Sequence, residues 1–556
     1  MTRKILVLLS WFQKHKITVS LIIISCITNL SLTIFNGRRI CVDSGCGLYI
    51  GGLHFHDSLW HLALSNVAFQ QYPFILPIFS GVNLSSYNYL LDLFIFLLKG
   101  LGIPTLVSYF KLIPVIYCFM FAGLSYKYLH RMNKSSSFIN SALFFLFFGS
   151  SFSYILSLWH FGKWQSFMYS QAMQSGRALL NMQYAVSLLF FLASLIILQE
   201  KKLNAAQTVL LGLFLFITTG LKFYGGATLV VILAIYSLVL FIKTKKLKIL
   251  LFQSCIYVFG FFGAVILFYT SSSSGKGGLP FAFSPFAIVH SLIEERDMFY
   301  IPNLVLARYT LLSSPKLFSP RLLSIELFTT AIFLMYNMGT RVIGVVDIFI
   351  KLIRRKLTGH ELSLLGGILF SALATLLFVQ KGDWWNVIQF FGYSLFLLNV
   401  FAGSALANLF VSKKMAPMML GILLIFLTLP TNIEQLSFAR EKYVSFTDSE
   451  VAALTILKEK PYGTVLQLPV SEYAYIPAFS NKPLYFGDKG VLNILGVDYK
   501  PRGEEVKKPT EIDFEKKDIR YIYINKSKFD FSGDIFLGKG FKKLFENTDI
   551  SLFQKE

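Results

Sequence analysis

Apolar residues fill most of the first 430 positions of this chain, in runs long enough to cross a lipid bilayer. A span requires about 20 apolar residues, and such runs are separated here by shorter polar clusters. The last 125 residues are mixed in character. The sequence therefore predicts eleven spans, at about 17–35, 105–126, 137–158, 182–199, 206–222, 224–242, 249–270, 325–350, 362–379, 386–410 and 416–431.

Lysine and arginine mark every second connection between these spans. Short loops rich in these residues stay in the cytoplasm, which places the N-terminus inside and, after an odd number of spans, the C-terminus outside. The basic segments contain Arg3, Lys4, Lys14 and Lys16; Lys127, Arg131 and Lys134; Lys201 and Lys202; Lys243, Lys245, Lys246 and Lys248; Lys351, Arg354, Arg355 and Lys356; and Lys413 and Lys414. The long connections, 36–104, 159–181 and 271–324, all lie on the opposite side, with 380–385 and the tail. We therefore expect the protein to work at the outer face.

Composition excludes a cytosolic enzyme and a nucleic-acid-binding protein. The 556 residues are 54% hydrophobic and 15% charged, with a mean hydropathy of +0.59, too apolar for a soluble chain of this length. Residues 1–431 carry 33 Lys and Arg against 11 Asp and Glu, whereas residues 432–556 carry 19 of each. The net charge of +22 thus lies in the membrane region, where it orients helices. Cys41 and Cys46 are close enough to pair, although five cysteines do not form a disulfide framework.

The tail, 432–556, predicts a small extracytoplasmic α/β domain beside the membrane domain, 1–431. A helix begins near Ser449, capped by Asp448 or Ser449, and strands are expected at 464–470, 519–525 and 549–554. The loop 271–324 contains the flexible stretch Ser271–Gly278, followed by a short helix, and is expected to be mobile.

The first outer loop, 36–104, carries the densest candidate chemistry. In GGLHFHDSLWHLALSNVAF, Asp57 follows His54 and His56 and precedes His61 by one helical turn. Asp57 stands about where a helix N-cap is expected, and an Asp cap stabilises by about 1 kcal/mol. A carboxylate held there also suits a base or an electrostatic stabiliser. The three histidines and Asp57 match the ligand types of a Zn or Mn site. All three interpretations stay open on these residues.

The same loop contains a second acid, Asp92, on an apolar helix predicted over Tyr87–Leu98. This segment is too short for a confident span and is expected to lie along the membrane surface. Asp92 is either a second functional acid or part of the polar face of that helix.

Three further outer connections offer cations, aromatics and acids. The loop 159–181 contains Trp159, Lys163, Trp164 and Arg177, which suit a lipid-linked phosphate or an ordinary interfacial belt. The turn QKGDWWNVIQFF places Lys381, Trp384 and Asn386 at the outer mouth, as a site or as a belt-and-cap turn. In the loop 271–324, Glu294 and Arg296 belong to a cluster of charged residues. This cluster is expected either to contact a phosphate or metal of the substrate or to form a solvated face.

This organisation resembles the GT-C superfamily of membrane glycosyltransferases, including oligosaccharyltransferases, protein O-mannosyltransferases and aminoarabinose transferases. The motif that carries the resemblance is FHDSLWHLALSNVAF…YPFILPIFSG, and HFHDSLWH is similar to the loop of uncharacterised bacterial membrane proteins grouped with this superfamily. The resemblance implies a polytopic α-helical membrane protein that transfers sugar from a polyprenyl-phosphate-linked donor to a glycan, lipid or protein acceptor. It makes Asp57 the catalytic carboxylate, with His54, His56, His61 and Asp92 in support.

The chain also departs from this family. Metal-using members place a second acidic motif in the next outer loop, yet 159–181 contains neither Asp nor Glu. We therefore expect a divalent metal to be possible but not obligatory. The tail lacks the WWD-type motif of oligosaccharyltransferases. We expect Lys163, Arg177 or Lys381 to bind the donor phosphate. The expected substrate-binding residues are Trp159, Trp164, Glu294, Arg296, Trp384 and Asn386. The alternatives are a transporter or flippase of lipid-linked sugars and a non-catalytic scaffold; the expected location is a prokaryotic cell membrane.

Overall fold

The computed structural model describes residues 15–43, 45–51, 54–164, 172–200, 202–269, 281–296, 298–313, 319–380, 383–412, 414–438, 441–529, 531 and 533–556. The chain divides into two compact units. The first comprises Met1–Ser31, Ile116–Val265 and Pro280–Phe438, and the second comprises Leu32–Val115, Ile266–Leu279 and Ala439–Glu556.

Long helices dominate the chain as far as residue 438, as the apolar runs predict. Their bounds, with the intervening strands, are α1 (Lys16–Thr33), β1 (Arg38–Val42), β2 (Gly45–Tyr49), α2 (Phe55–Val67), α3 (Leu90–Gly100), α4 (Thr105–Met132), α5 (Ser136–Phe148), α6 (Ser153–Phe161), α7 (Met182–Ile197), α8 (Ala205–Leu221), α9 (Phe223–Thr244), α10 (Leu247–Tyr269), β3 (Phe281–Phe283), α11 (Ala287–Glu294), α12 (Pro302–Leu312), α13 (Pro320–Met338), α14 (Val342–Ile353), α15 (Gly359–Leu377), β4 (Phe378–Gln380), α16 (Ile388–Val411) and α17 (Met415–Phe438). Short 3-10 turns include Ser175–Leu180, Gly339–Arg341 and Trp384–Val387.

Each of the eleven predicted runs coincides with helix, but not every run is one straight span. Within the described residues, eight helical segments are long and apolar enough to cross a membrane, and α5 with α6 forms a ninth candidate bent by 48°. The remaining two, α7 and α8, have 16 and 17 residues. At 1.5 Å per residue each is about 24–26 Å long, shorter than the roughly 30 Å hydrocarbon core. The prediction of eleven full spans is thus refined to eight, one bent pair and two short apolar helices.

The bend between α5 and α6 combines a glycine at the break with side-chain contacts from α17, all within the first unit. The backbone leaves the helix at Gly149, where an added Cβ would lie 2.5 Å from the Phe145 carbonyl oxygen. Side chains then satisfy the freed carbonyls: Asn432 donates to the Phe148 oxygen at 2.8 Å. Ser150 in turn donates to the Thr428 oxygen at 2.6 Å. A broken helix is tolerated inside a membrane protein when such partners exist.

The C-terminal region contains the predicted helix and the three predicted strands, together with further elements that were not predicted. Its elements are β5 (Phe446–Thr447), α18 (Asp448–Glu459), β6 (Thr464–Leu468), α19 (Tyr475–Ser480), α20 (Lys489–Ile494), α21 (Lys500–Glu505), β7 (Ile519–Asn525), β8 (Phe541–Glu546) and β9 (Ile550–Lys555). A four-stranded sheet has the order β6-β7-β9-β8, with β6 and β7 parallel. A second sheet, β1-β2-β5, joins the hairpin after α1 to the C-terminal region, and Cys41 and Cys46 form a disulfide within that hairpin.

Strand β5 and helices α19, α20 and α21 were not predicted, and the cap of α18 and the strand β8 also differ from the sequence prediction. The cap of α18 is Thr447 rather than Asp448 or Ser449, because Thr447 and Glu450 form a reciprocal capping box. Strand β8 was not predicted. It is an edge strand whose Lys542 and Lys543 are both exposed, and charged edge positions obscure the alternation by which strands are recognised.

The helix predicted over Tyr87–Leu98 is present as α3. It buries Leu91, Asp92 and Ile95, while Phe94 and Leu97 are 50% and 58% exposed. An exposed apolar face opposite a protein-facing side is typical of an interfacial helix. Asp92 lies on the buried side, so the prediction that it belongs to the polar face is wrong.

The loop 271–324 is only partly described. The predicted flexible stretch Ser271–Gly278 lies outside the described residues. Beyond it, β3 pairs with β4 antiparallel, and the single helix expected here is two, α11 and α12.

Candidate functional site

Helix α2 is the rigid support of the candidate site in the second unit. Its residues from Ser58 to Val67 are buried, and it packs against α3 and α19. At its start, the Phe55 ring lies 5.5 Å from the ring of Phe446 and 4.7 Å from that of Tyr473. These contacts fix the first turn of the helix, which carries the acid of interest.

Asp57 occupies that first turn but does not cap it. The N-cap is His54, which makes no side-chain capping hydrogen bond, so the expectation that Asp57 is the cap is wrong. The Asp57 side chain is 53% exposed. An anion in the first turn interacts favourably with the helix dipole. The carboxylate is therefore positioned by the helix and remains accessible to other molecules.

His56 links Asp57 to a second carboxylate far along the chain. Its Nε2 donates to Asp488 Oδ2 at 2.8 Å, and its Nδ1 lies 3.5 Å from Asp57 Oδ1. The hydrogen bonds to Asp488 and then Asp57 raise the pKa of His56 to about 10. His56 is therefore an imidazolium at neutral pH, placed between two carboxylates.

Asp488 is itself held by its position at a helix start. It is the N-cap of α20, where Oδ1 accepts from the Val491 N–H at 3.1 Å. Its side chain is only 4% exposed, so the Oδ2 that accepts from His56 is fixed in place. Sequence reasoning missed Asp488. The available signal was the Asp-Lys-Gly that precedes an apolar helix, which predicts a cap but not a partner for His56.

A second acid–histidine pair lies deeper in the second unit. His61 Nδ1 is 3.1 Å from both carboxylate oxygens of Asp92, and both residues are buried. The His61 ring lies between the rings of Tyr87 and Tyr109, with centroids at 5.9 and 6.3 Å. Burial, and then the charges of Asp92 and Asp57, raise the pKa of Tyr87 well above its usual value. Both carboxylates therefore act electrostatically on the Tyr87 hydroxyl.

His54 has a third, apolar environment. It is 2% exposed, its ring makes an edge contact with Phe110 at 6.0 Å, and its buried Nε2 has no hydrogen-bond partner among the described residues. Burial lowers the pKa of His54 to about 4. His54 is therefore a neutral imidazole at neutral pH.

These environments do not fit the metal site that the histidine cluster suggested. Both nitrogens of His56 already face carboxylates, His61 faces Asp92, and His54 lies apart from them in an apolar setting. Among the residues that the structure describes, no three His, Cys, Asp or Glu side chains are grouped to hold a metal ion. No step is therefore assigned to a metal here.

The other predicted site residues lie in the first unit, in three groups. Near the end of α6, Trp159 is 76% exposed and its ring lies 5.2 Å from Phe299. Trp164 stacks on Tyr154 at 5.2 Å, and Lys163 is exposed. Arg177 is 4% exposed, so it does not share the accessible position of these residues.

The second and third groups lie on other segments of the chain. Glu294 accepts from Arg308 at 2.9 Å and from the Tyr309 hydroxyl at 3.2 Å, so it belongs to an ion network rather than to a solvated face. Arg296 is exposed. Trp384 packs against Trp385 at 4.8 Å, and Asn386 accepts from Gln389 at 2.7 Å. Lys381 lies outside the described residues.

No protein-family model and no curated protein matches this chain. Among solved structures it is similar to the archaeal oligosaccharyltransferase AglB from Archaeoglobus fulgidus in complex with an inhibitory peptide and a dolichol-phosphate. The TM-score is 0.52 at 11% identity, over 93% of this chain and 70% of AglB. ArnT from Cupriavidus metallidurans in the apo state matches with a TM-score of 0.47 at 10% identity, over 96% and 97% of the two chains. The likeness to AglB shows that this integral membrane protein has the GT-C fold that its sequence organisation resembles.

Proposed function

We propose that this protein is a membrane glycosyltransferase that moves a sugar from a polyprenyl-phosphate-linked donor to an acceptor hydroxyl. The observation that carries the proposal is an exposed carboxylate, Asp57, fixed beside the His56–Asp488 pair in the first loop of a GT-C chain. AglB, which has this fold, was solved with a dolichol-phosphate. The basic connections favour an extracytoplasmic reaction, and the proposed location is a prokaryotic cell membrane.

Asp57 acts as general base in this proposal. It accepts the proton of the acceptor hydroxyl as that oxygen forms a bond to the anomeric carbon of the donor. The bond between the anomeric carbon and the phosphate oxygen breaks, and both of its electrons leave with the polyprenyl phosphate. The leaving group is a stabilised anion and needs no proton, so one carboxylate suffices, unlike the pair used in glycoside hydrolysis.

His56 and Asp488 have a positioning role. Because His56 has a pKa of about 10, it is protonated at neutral pH and is not itself a base. Its positive charge interacts favourably with the ionised Asp57 carboxylate 3.5 Å away. Asp488, fixed at the start of α20, orients the imidazolium and through it Asp57. The buried pair of His61 and Asp92 holds α2 against α3.

The donor phosphate requires a cation. Three cations were predicted to hold it. Of the two that the structure describes, Lys163 is exposed and Arg177 is buried, so Lys163 is the candidate. Lys381, the third predicted cation, is also proposed to bind the donor phosphate. The exposed rings of Trp159, Trp164 and Trp384 offer surfaces for lipid or sugar, with Asn386, Glu294 and Arg296 as further polar contacts.

A transporter or flippase is the main rival, and buried charges in spans are its usual mark. Arg341 is such a charge, yet its guanidinium donates to the Met338 and Asn337 carbonyl oxygens at the break between α13 and α14. These contacts give Arg341 a structural use at the helix break.

The test is sugar transfer by the purified protein in detergent. The substrates are a radiolabelled polyprenyl-phosphate sugar and a cell-envelope glycan or lipid extract as acceptor, with a nucleotide sugar as the control donor. We expect labelled acceptor only with the lipid-linked donor. Movement of labelled lipid across vesicles without any transfer would instead identify a flippase.

A further inference from the structure

A pocket of about 390 Å³ lies in the first unit, where α4, α7 and α9 end and α15 begins. Arg131, Lys243 and the start of α15 provide its polar lining, and Tyr236 and Leu240 provide part of its apolar wall. The helix ends here belong to the connections that the basic-residue pattern assigns to the cytoplasm. The pocket is therefore distinct from the first-loop site built around Asp57.

The charged groups of the pocket favour an anion. Lys243 is exposed, and no ion pair of its ammonium group occurs among the described residues. Arg131 pairs with Glu200 through one nitrogen, at 2.7 Å. The acid in the lining, Glu361, is already occupied, since it accepts from Lys351 and from the Thr358 N–H, both at 2.9 Å. The pocket thus offers cationic donors without a competing free carboxylate among the described lining residues.

The start of α15 adds backbone donors beside Lys243. The Thr358 hydroxyl accepts a hydrogen bond from the Glu361 N–H. Among the described residues, the Gly359 and His360 N–H groups donate to no hydrogen-bond acceptor. A Cβ at Gly359 would lie 3.5 Å from Lys243 Nζ, so the ammonium group approaches these amides closely. The N-terminus of a 19-residue helix carries a partial positive charge that favours phosphate.

We propose that this pocket binds the phosphate of an anionic phospholipid headgroup from the leaflet that contacts these helix ends. The pocket lies at the boundary between apolar helices and basic connections, and its wall is partly apolar, which suits a headgroup with its glycerol and first methylenes. Basic pockets between membrane helices on the cytoplasmic side are suited to anionic lipid headgroups. A free phosphate would use the same donors but not the apolar wall.

The experiment measures thermal unfolding of the full-length protein in a neutral detergent. Short-chain phosphatidylglycerol is titrated against phosphatidylcholine of equal chain length and against inorganic phosphate. The variants are Lys243→Gln, Lys243→Arg and Lys246→Gln, the last an exposed lysine of the same connection outside the pocket. We expect stabilisation by phosphatidylglycerol alone. Its half-saturating concentration should rise about fivefold in Lys243→Gln, recover in Lys243→Arg, and stay unchanged in Lys246→Gln.

Three results would overturn the proposal. An equal rise in the half-saturating concentration of phosphatidylglycerol in Lys243→Gln and Lys246→Gln would indicate diffuse attraction to a basic surface. Equal stabilisation by phosphatidylcholine would remove the charge selectivity, and stabilisation by inorganic phosphate at the same concentration would assign the pocket to a free anion. Sugar transfer is not the readout, so the outcome is independent of the proposed enzyme activity.

Discussion

His56 Nε2 donates to Asp488 Oδ2 at 2.8 Å, although the two residues are 432 positions apart in the chain. The contact joins the first turn of α2, which carries Asp57, to the cap of α20 in the C-terminal region. The C-terminal residues of the second unit therefore take part in the candidate site, and are not only an appended domain.

Replacing Asp57 by Asn should reduce sugar transfer by about a hundredfold or more, because a positioned general base contributes roughly 10²–10⁴ in rate. The cost to folding should be small, about 0.3–1 kcal/mol, since the side chain is half exposed, which weakens both its interaction with the helix start and its interaction with His56. Transfer rate and thermal unfolding of the purified variant test this. Asp448→Asn, at the start of α18 in the same unit, is the matched control and should keep full activity. Undiminished transfer by Asp57→Asn would refute the assigned role.

Replacing Asp488 by Asn should lower stability in a pH-dependent way. Asn caps a helix about as well as Asp, so the change chiefly removes the charged partner of His56. The folded pKa of His56, about 10, lies above the ordinary value of 6.5. The stabilisation from this shift is complete below about pH 6.5 and is lost as pH rises through about 10. The difference in unfolding free energy between the two proteins should therefore shrink from pH 6 to pH 10. A difference in unfolding free energy that does not change with pH would contradict the assigned ion pair between His56 and Asp488.

Asp92 and His61 should be coupled energetically. Losing a buried hydrogen bond to a charged group costs about 1.5–3 kcal/mol, so Asp92→Asn and His61→Gln should each lower the unfolding temperature. The double variant should cost less than the two single changes together, because both remove one interaction. Asp92→Asn that keeps its stability but loses transfer would instead make Asp92 a functional acid.

Chelation should leave sugar transfer unchanged, since the nitrogens of His56 and His61 Nδ1 face carboxylates. The measurement compares transfer before and after exhaustive treatment with a chelator, followed by addition of Mn, Mg or Zn. Loss on chelation with rescue by one ion would show an obligatory metal, and variants of His54, His56 and His61 would then be tested as ligands.

Reporter fusions should place the N-terminus inside and the C-terminus outside, because the short basic connections stay in the cytoplasm. Fusions at Lys246 and Arg355 are expected to be cytoplasmic, and a fusion at Glu556 extracytoplasmic. A cytoplasmic reporter at Glu556 would reverse the orientation and place the proposed reaction on the other side.

The sequence by itself determined the positions of the apolar helices, one helix and three strands of the tail, and the candidate acid. Apolar runs of about 20 residues can only be stable as helices in a bilayer, so each run could be located from its composition. The strands 519–525 and 464–470 were found because β-branched and aromatic residues cluster there. Asp57 was singled out by its setting among histidines and by the GT-C resemblance, both of which are local in sequence.

Only the tertiary structure decided which residues meet. Asp488 accepts from His56, and Asp92 turns inward to His61, because folding brings together segments whose separation no local pattern encodes. The bend after Gly149 likewise depends on Asn432, a side chain 284 residues from the carbonyl it satisfies. Local periodicity reports the faces of a helix, whereas long-range hydrogen bonds decide which polar group on those faces is buried, paired or left open to a substrate.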